Sequence, residues 1–166
     1  MLIQNYCDLT LTDVAVNGTN LKTSNSQYVF SNNCGTIVLD GTTSITAPAG
    51  FRAFDVCKYN NGSYDYPAPI VKWYSTGTVS GIIELSGGTL ELNADLCVNA
   101  PVYVVSSKKS TLNLNGKKLY NTSDIWEQDS AKEWGELIRV EGGKLEINDT
   151  QNGSVAAKVN DCYAVN

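Results

Sequence analysis

The chain contains no histidine. That absence removes Ser-His-Asp and Cys-His nucleophilic catalysis and histidine-ligated metal chemistry together. Methionine occurs once, phenylalanine three times and proline four times in 166 residues. No apolar run approaches the roughly 18 residues that a membrane-spanning helix needs, so membrane insertion is not expected. No signal-peptide pattern is read within the chain either, because Met1-Leu2-Ile3 leads straight into the strand-like Gln4-Asn5-Tyr6. Arginine is confined to Arg52 and Arg139, and the net charge is −5. A basic stripe for nucleic acid is therefore missing, and no nucleic-acid partner is expected. The pairs Lys108-Lys109 and Lys117-Lys118 read as solvated strand edges.

The five cysteines (Cys7, Cys34, Cys57, Cys97 and Cys162) are far apart and odd in number. Without a Cys-x-x-Cys pair, zinc is not expected. Structural thiols fit better than a disulfide framework, and Cys97 suits the small-residue interior of a coil. Phosphate-loop and calcium-loop patterns are absent as well. No metal or cofactor is expected, and no catalytic residue is assigned.

Glycine, asparagine, threonine and serine are what the chain has in abundance, and they punctuate a repeat. The segment from Gly35-Thr36-Ile37-Val38-Leu39 to Ala47-Pro48 returns without a gap as Gly88-Thr89-Leu90-Glu91-Leu92 to Ala100-Pro101. Weaker copies run over Asp8 to Gly18, Ser110 to Leu119 and Gly142 to Asp149, the last followed by a turn at Asn152-Gly153. Strict alternation over four to six residues between turn residues marks half-buried strands. One such unit cannot bury its apolar face alone and must stack on copies of itself.

The expected fold is all-β: a right-handed parallel β-helix, one solenoid domain over residues 1–166, with loop insertions near 58–74 and 120–135. A β-sandwich is the competing architecture. Leu9, Leu11, Ile37, Leu39, Leu90, Leu92, Leu112, Leu114, Leu145 and Ile147 are expected to point inward. The one helical candidate, Ser123 to Trp134, is short. Neither end shows a capping element, so the chain reads as a segment of a longer rod or an assembly subunit, with self-association or other subunits as partners. The Asn-x-Ser/Thr triplets at Asn17, Asn61, Asn121, Asn148 and Asn152 are the chance product of a composition rich in these residues.

Two groups of side chains carry potential chemistry. Tyr59, Tyr64, Tyr66, Trp73 and Tyr74 surround Asn60-Asn61-Gly62-Ser63, and Trp126 and Trp134 lie in the second insertion. Aromatic rings beside Asn, Asp and Glu suit sugars, with ring faces on apolar patches and polar groups on hydroxyls. The same rings also suit a structural task, anchoring long loops to the wall. The candidate glycan contacts are Tyr59, Tyr64, Tyr66, Trp73, Trp126 and Trp134. Asp124, Glu127, Asp129, Glu133 and Glu136 are the carboxylates open to a lyase or hydrolase, and solvated surface is the simpler reading of them.

Ser110-Thr111-Leu112-Asn113-Leu114-Asn115-Gly116-Lys117 and Glu136 to Ile147 resemble the repeats of pectate-lyase-like right-handed β-helix proteins. Asn160-Asp161-Cys162-Tyr163-Ala164-Val165 is similar to an internal rung of that family. The resemblance implies surface proteins of gut bacteria or virion proteins of their phages. Neither the calcium-binding Asp set of the lyases nor the motif set of the hydrolases can be placed in this chain, so no catalytic residue carries over. The resulting expectation is a non-catalytic structural or adhesive module, in a virion or at an extracellular surface, contacting glycans. A polysaccharide lyase or hydrolase and a pure carbohydrate-binding module are the alternatives.

Overall fold

Each alternating segment of the sequence forms one short strand, and the Gly, Asn and Asp clusters between them form corners. The computed structural model describes residues 1–22, 28–60, 62–122 and 136–158, and the strand Tyr163–Val165. Three strands make one coil. The first coil is β1 (Ile3–Asn5), β2 (Leu9–Thr12) and β3 (Ala15–Asn17); the second is β4 (Tyr28–Asn32), β5 (Thr36–Asp40) and β6 (Ser44–Thr46). The third is β7 (Arg52–Cys57), β8 (Ile70–Trp73) and β9 (Thr78–Ser80); the fourth is β10 (Ile82–Ser86), β11 (Thr89–Leu92) and β12 (Leu96–Val98). The fifth is β13 (Val102–Val104), β14 (Lys109–Asn113) and β15 (Lys118–Tyr120). The sixth is β16 (Glu136–Val140), β17 (Lys144–Asn148) and β18 (Ser154–Ala156), and β19 (Tyr163–Val165) begins another.

Like strands of successive coils pair in parallel, giving one seven-stranded and two six-stranded sheets. The fold is an all-β right-handed parallel β-helix. A sandwich would need antiparallel walls, and the strand pairings here are parallel.

Register explains the repeat. Leu9, Ile37, Val71, Leu90, Leu112 and Ile147 stack in one column, and Leu11, Leu39, Trp73 and Leu92 in the next. The two matching segments starting at Gly35 and Gly88 are thus two coils apart, with β8 between them. Neither glycine position has room for a Cβ: at Gly35 it would meet Cys7 O at 2.2 Å, and at Gly88 it would meet Val56 Cγ1 at 2.5 Å. Inside the first sheet, Phe30 and Phe54 stack at 4.7 Å and continue through Ile83, Val102 and Ile138.

Ile37, Leu39, Leu90, Leu92 and Leu112 are fully buried and Leu114 nearly so. The expected core differs at the outer coils. Leu9, Leu11 and Leu145 are only partly buried, and Ile147 is exposed, because β2 and β17 are the end strands of the second sheet among the described residues. Leu145 also pairs with Ser110, not with Leu112. Cys97 is buried, but it alternates with the inward Leu96 and Val98, and its Sγ lies 3.9 Å from Thr122 Oγ1. It therefore sits on the outer side of the wall, not in the coil interior. Cys7, Cys34, Cys57 and Cys97 are free thiols; Cys162 lies outside the described residues.

The first insertion is shorter than expected. It leaves after Cys57 and ends before Ile70, so residues 70–73 belong to the wall. The interior of the second, residues 123–135, lies outside the described residues, and the helical candidate falls with it.

Candidate functional site

The first insertion occupies the corner between the first two sheets. Asn60 and Asp65 form an antiparallel bridge, and the Asn60 side chain accepts a bond from Gly62 N at 2.7 Å, closing the turn. A two-residue period then sets the aromatic geometry. Tyr59 and Tyr66 flank the bridge on opposite arms and meet at 5.3 Å, and Tyr64 shares a face with Tyr66, their rings 4.6 Å apart. Tyr59 N donates to Asn33 O at 3.0 Å, which seats the loop on the second coil. From the first coil, Tyr6 meets Tyr59 edge-on at 5.7 Å. Tyr6, Tyr59 and Tyr64 are exposed and Tyr66 is half-buried, so the four rings make one open patch.

Beside the patch lies a groove of about 440 Å³ lined by Lys58, Asn60, Asp65, Gly87, Lys108 and Lys109, with Ala68. Gly87 has φ +89°, and a Cβ there would meet Lys108 Cδ at 2.8 Å. Lys58 Nζ pairs with Asp65 at 2.8 Å, while Lys108 Nζ donates to Lys58 O at 2.6 Å. Planar rings, amide and carboxylate groups and ammonium donors thus share one corner. Together they can cover a sugar face and bond its hydroxyls.

Of the residues singled out from sequence, Tyr59, Tyr64 and Tyr66 come together. Trp73 does not: it is 0 % exposed, stacked between Leu39 and Leu92, with Nε1 donating to Asp95 O at 3.3 Å. Its place as a glycan contact is corrected accordingly, since β8 carries it across the second sheet and its ring faces inward. Tyr74 is exposed at the far end of that strand, away from the patch. Trp126 and Trp134, with Asp124, Glu127, Asp129 and Glu133, lie outside the described residues. Glu136 is buried at the start of β16 and pairs with Arg139 at 3.2 Å, so it is a wall residue and not a loop carboxylate.

Sequence reading missed Tyr6 and a polar row on the outer face of the first sheet. Ser31, Asp55, Glu84, Tyr103 and Arg139 follow one another in register. Arg52 pairs with Glu84 and lies 5.5 Å from the Tyr28 ring centre. Asp55 is 5 % exposed, and its Oδ1 has no hydrogen-bond partner among the described residues. Burial pushes its pKa up to about 6, with a hydrogen bond from Ser31 opposing and the Glu84 charge adding. Burial, then the Glu84 and Asp55 charges, lifts Tyr28 to about 12. At the end of the row the Tyr103 hydroxyl donates to Glu141 at 2.5 Å, which raises the phenol and lowers the carboxyl. The available signal was the alternation in Phe54-Asp55-Val56 and Ile83-Glu84-Leu85, where a charged residue stands between two core residues.

No protein family, curated protein or solved structure matches the chain, so the site is read from its own geometry.

Proposed function

We propose that this chain is a non-catalytic structural or adhesive β-solenoid module that presents its tyrosine corner to glycans. The observation carrying this reading is the continuous patch of Tyr6, Tyr59, Tyr66 and Tyr64 at the rim of a polar groove. The stacked wall supports it, because the Asn60–Asp65 bridge and the Tyr59 N bond to Asn33 O fasten the loop carrying three of these rings to the second coil, which limits reordering on binding. Binding without cleavage is favoured by the state of the two adjacent wall carboxylates. Asp55 and Glu84 are 5 % and 6 % exposed, and Glu84 is neutralised by Arg52, which leaves a sugar ring no access to them. The setting, a phage particle or a bacterial cell surface, comes from the resemblance to pectate-lyase-like repeats.

Incubation of the purified chain with a panel of polysaccharides tests this function. Retention of at least one glycan, with no release of reducing or unsaturated ends with or without calcium, is the expected outcome. Turnover that disappears in a variant of the exposed groove carboxylate, Asp65→Asn, would replace the reading with the enzymatic one.

A further inference from the structure

We propose that Cys7 and Cys34 form a disulfide under oxidising conditions and staple the first coil to the second. Register brings them close: Asn5 pairs with Asn32 and Leu9 with Ile37, so Cys7 and Cys34 fall in the same corner of consecutive coils, with Cys7 facing Gly35 beside Cys34. The Asn5 amide holds both backbones, donating to Cys7 O at 2.5 Å and to Cys34 O at 3.4 Å. Cys34 directs its Sγ at the first coil, 2.8 Å from Tyr6 O.

Covalent geometry turns that last contact into a bound. In a trans peptide the oxygen of one residue lies about 2.8 Å from the Cα of the next, and the described residues contain no cis peptide. The Cys34 sulfur is therefore no more than about 5.6 Å from the Cys7 Cα, and the Cys7 sulfur, about 2.8 Å from that same Cα, swings towards it by rotation about χ1. Burial, and then the nearness of Cys7, pushes the Cys34 thiol up. Cys7 is exposed and Cys34 buried, which sets the order of events.

With glutathione disulfide as oxidant, the Cys7 thiolate attacks one of its sulfurs and releases one glutathione, leaving a mixed disulfide on Cys7. Cys34 then gives its proton to solvent and attacks Cys7 Sγ, expelling the second glutathione. Two protein thiols lose two electrons and one glutathione disulfide becomes two glutathiones. The bond lies next to Tyr6, so it fixes the part of the first coil that contributes to the tyrosine patch.

The test is peptide mapping of the intact chain after equilibration with glutathione disulfide and alkylation without reduction. A Cys7–Cys34 cross-linked peptide, with Cys57 and Cys97 alkylated, is the expected product. The melting temperature should rise by about 5–10 °C on oxidation, and the rise should vanish in Cys7→Ser, an exposed and well-tolerated change. Cys7 held as a glutathione adduct or in a dimer while Cys34 stays a thiol, or both thiols left free, overturns the proposal.

Discussion

At the scale of single residues, the wall shows where a polar side chain is held against its preference. Asp55 faces outward yet is buried, with one carboxyl oxygen unpartnered among the described residues. Its pKa of about 6 in the folded protein compares with about 3.9 in an unfolded chain. Between those values the folded state binds a proton that the unfolded state has lost. The contribution of Asp55 to stability is therefore greatest below about pH 4, falls as pH rises, and levels off above about pH 6, a change on the order of 2–3 kcal/mol. Asp55→Asn is expected to raise stability at pH 7 by about 1–3 kcal/mol and to flatten that slope; urea denaturation at several pH values measures both. Trp73 is the opposite case, a large apolar group placed where it is most effective. Trp73→Ala should cost about 3–5 kcal/mol in the same assay, because its column collapses only partly around the hole.

At the scale of elements, the sequence was most informative where a period was strict. Ile37, Leu39, Leu90 and Leu92 alternate with polar residues, and their burial follows directly. Asn60-Asn61-Gly62-Ser63 is turn chemistry, and a turn there brings Tyr59 opposite Tyr66. Trp73 was misplaced for a physical reason. Proximity along the chain to the tyrosines said nothing of the strand boundary at Ile70, beyond which two-residue alternation with Val71 points the ring into the coil. Tyr6 was invisible because it reaches the patch across coils, through a register no local pattern encodes. The polar row was hidden by the same alternation that revealed the core, because alternation marks a position as outward without saying whether neighbouring coils cover it. The loop itself yields a prediction. Tyr64→Ala should weaken glycan binding about tenfold by removing an exposed ring contact. It should leave the melting temperature within about 2 °C of wild type, since Tyr64 is 60 % exposed. Calorimetric titration with a retained glycan, beside a thermal melt, separates the two effects.

At the scale of the whole molecule, stacking makes the protein a rod with a repeating interior and a varied exterior. The interior columns bury aliphatic side chains worth roughly 1.5–3 kcal/mol each, and every coil depends on the coils it touches. Corners escape that constraint, which is why the 58–69 insertion can leave the stack without disturbing the pairing of Phe54–Cys57 with Ile83–Ser86 before it or of β8 with β11 after it. Function at a corner on a rigid wall is the central claim. The most direct measurement is a glycan-array comparison of the wild-type chain with a Tyr59→Ala/Tyr64→Ala double variant of matched thermal stability. Wild-type binding to a defined set of glycans, and its loss in the variant, is the expected result. A wild-type chain that binds none of them, or a variant that binds the same set equally well, would contradict it.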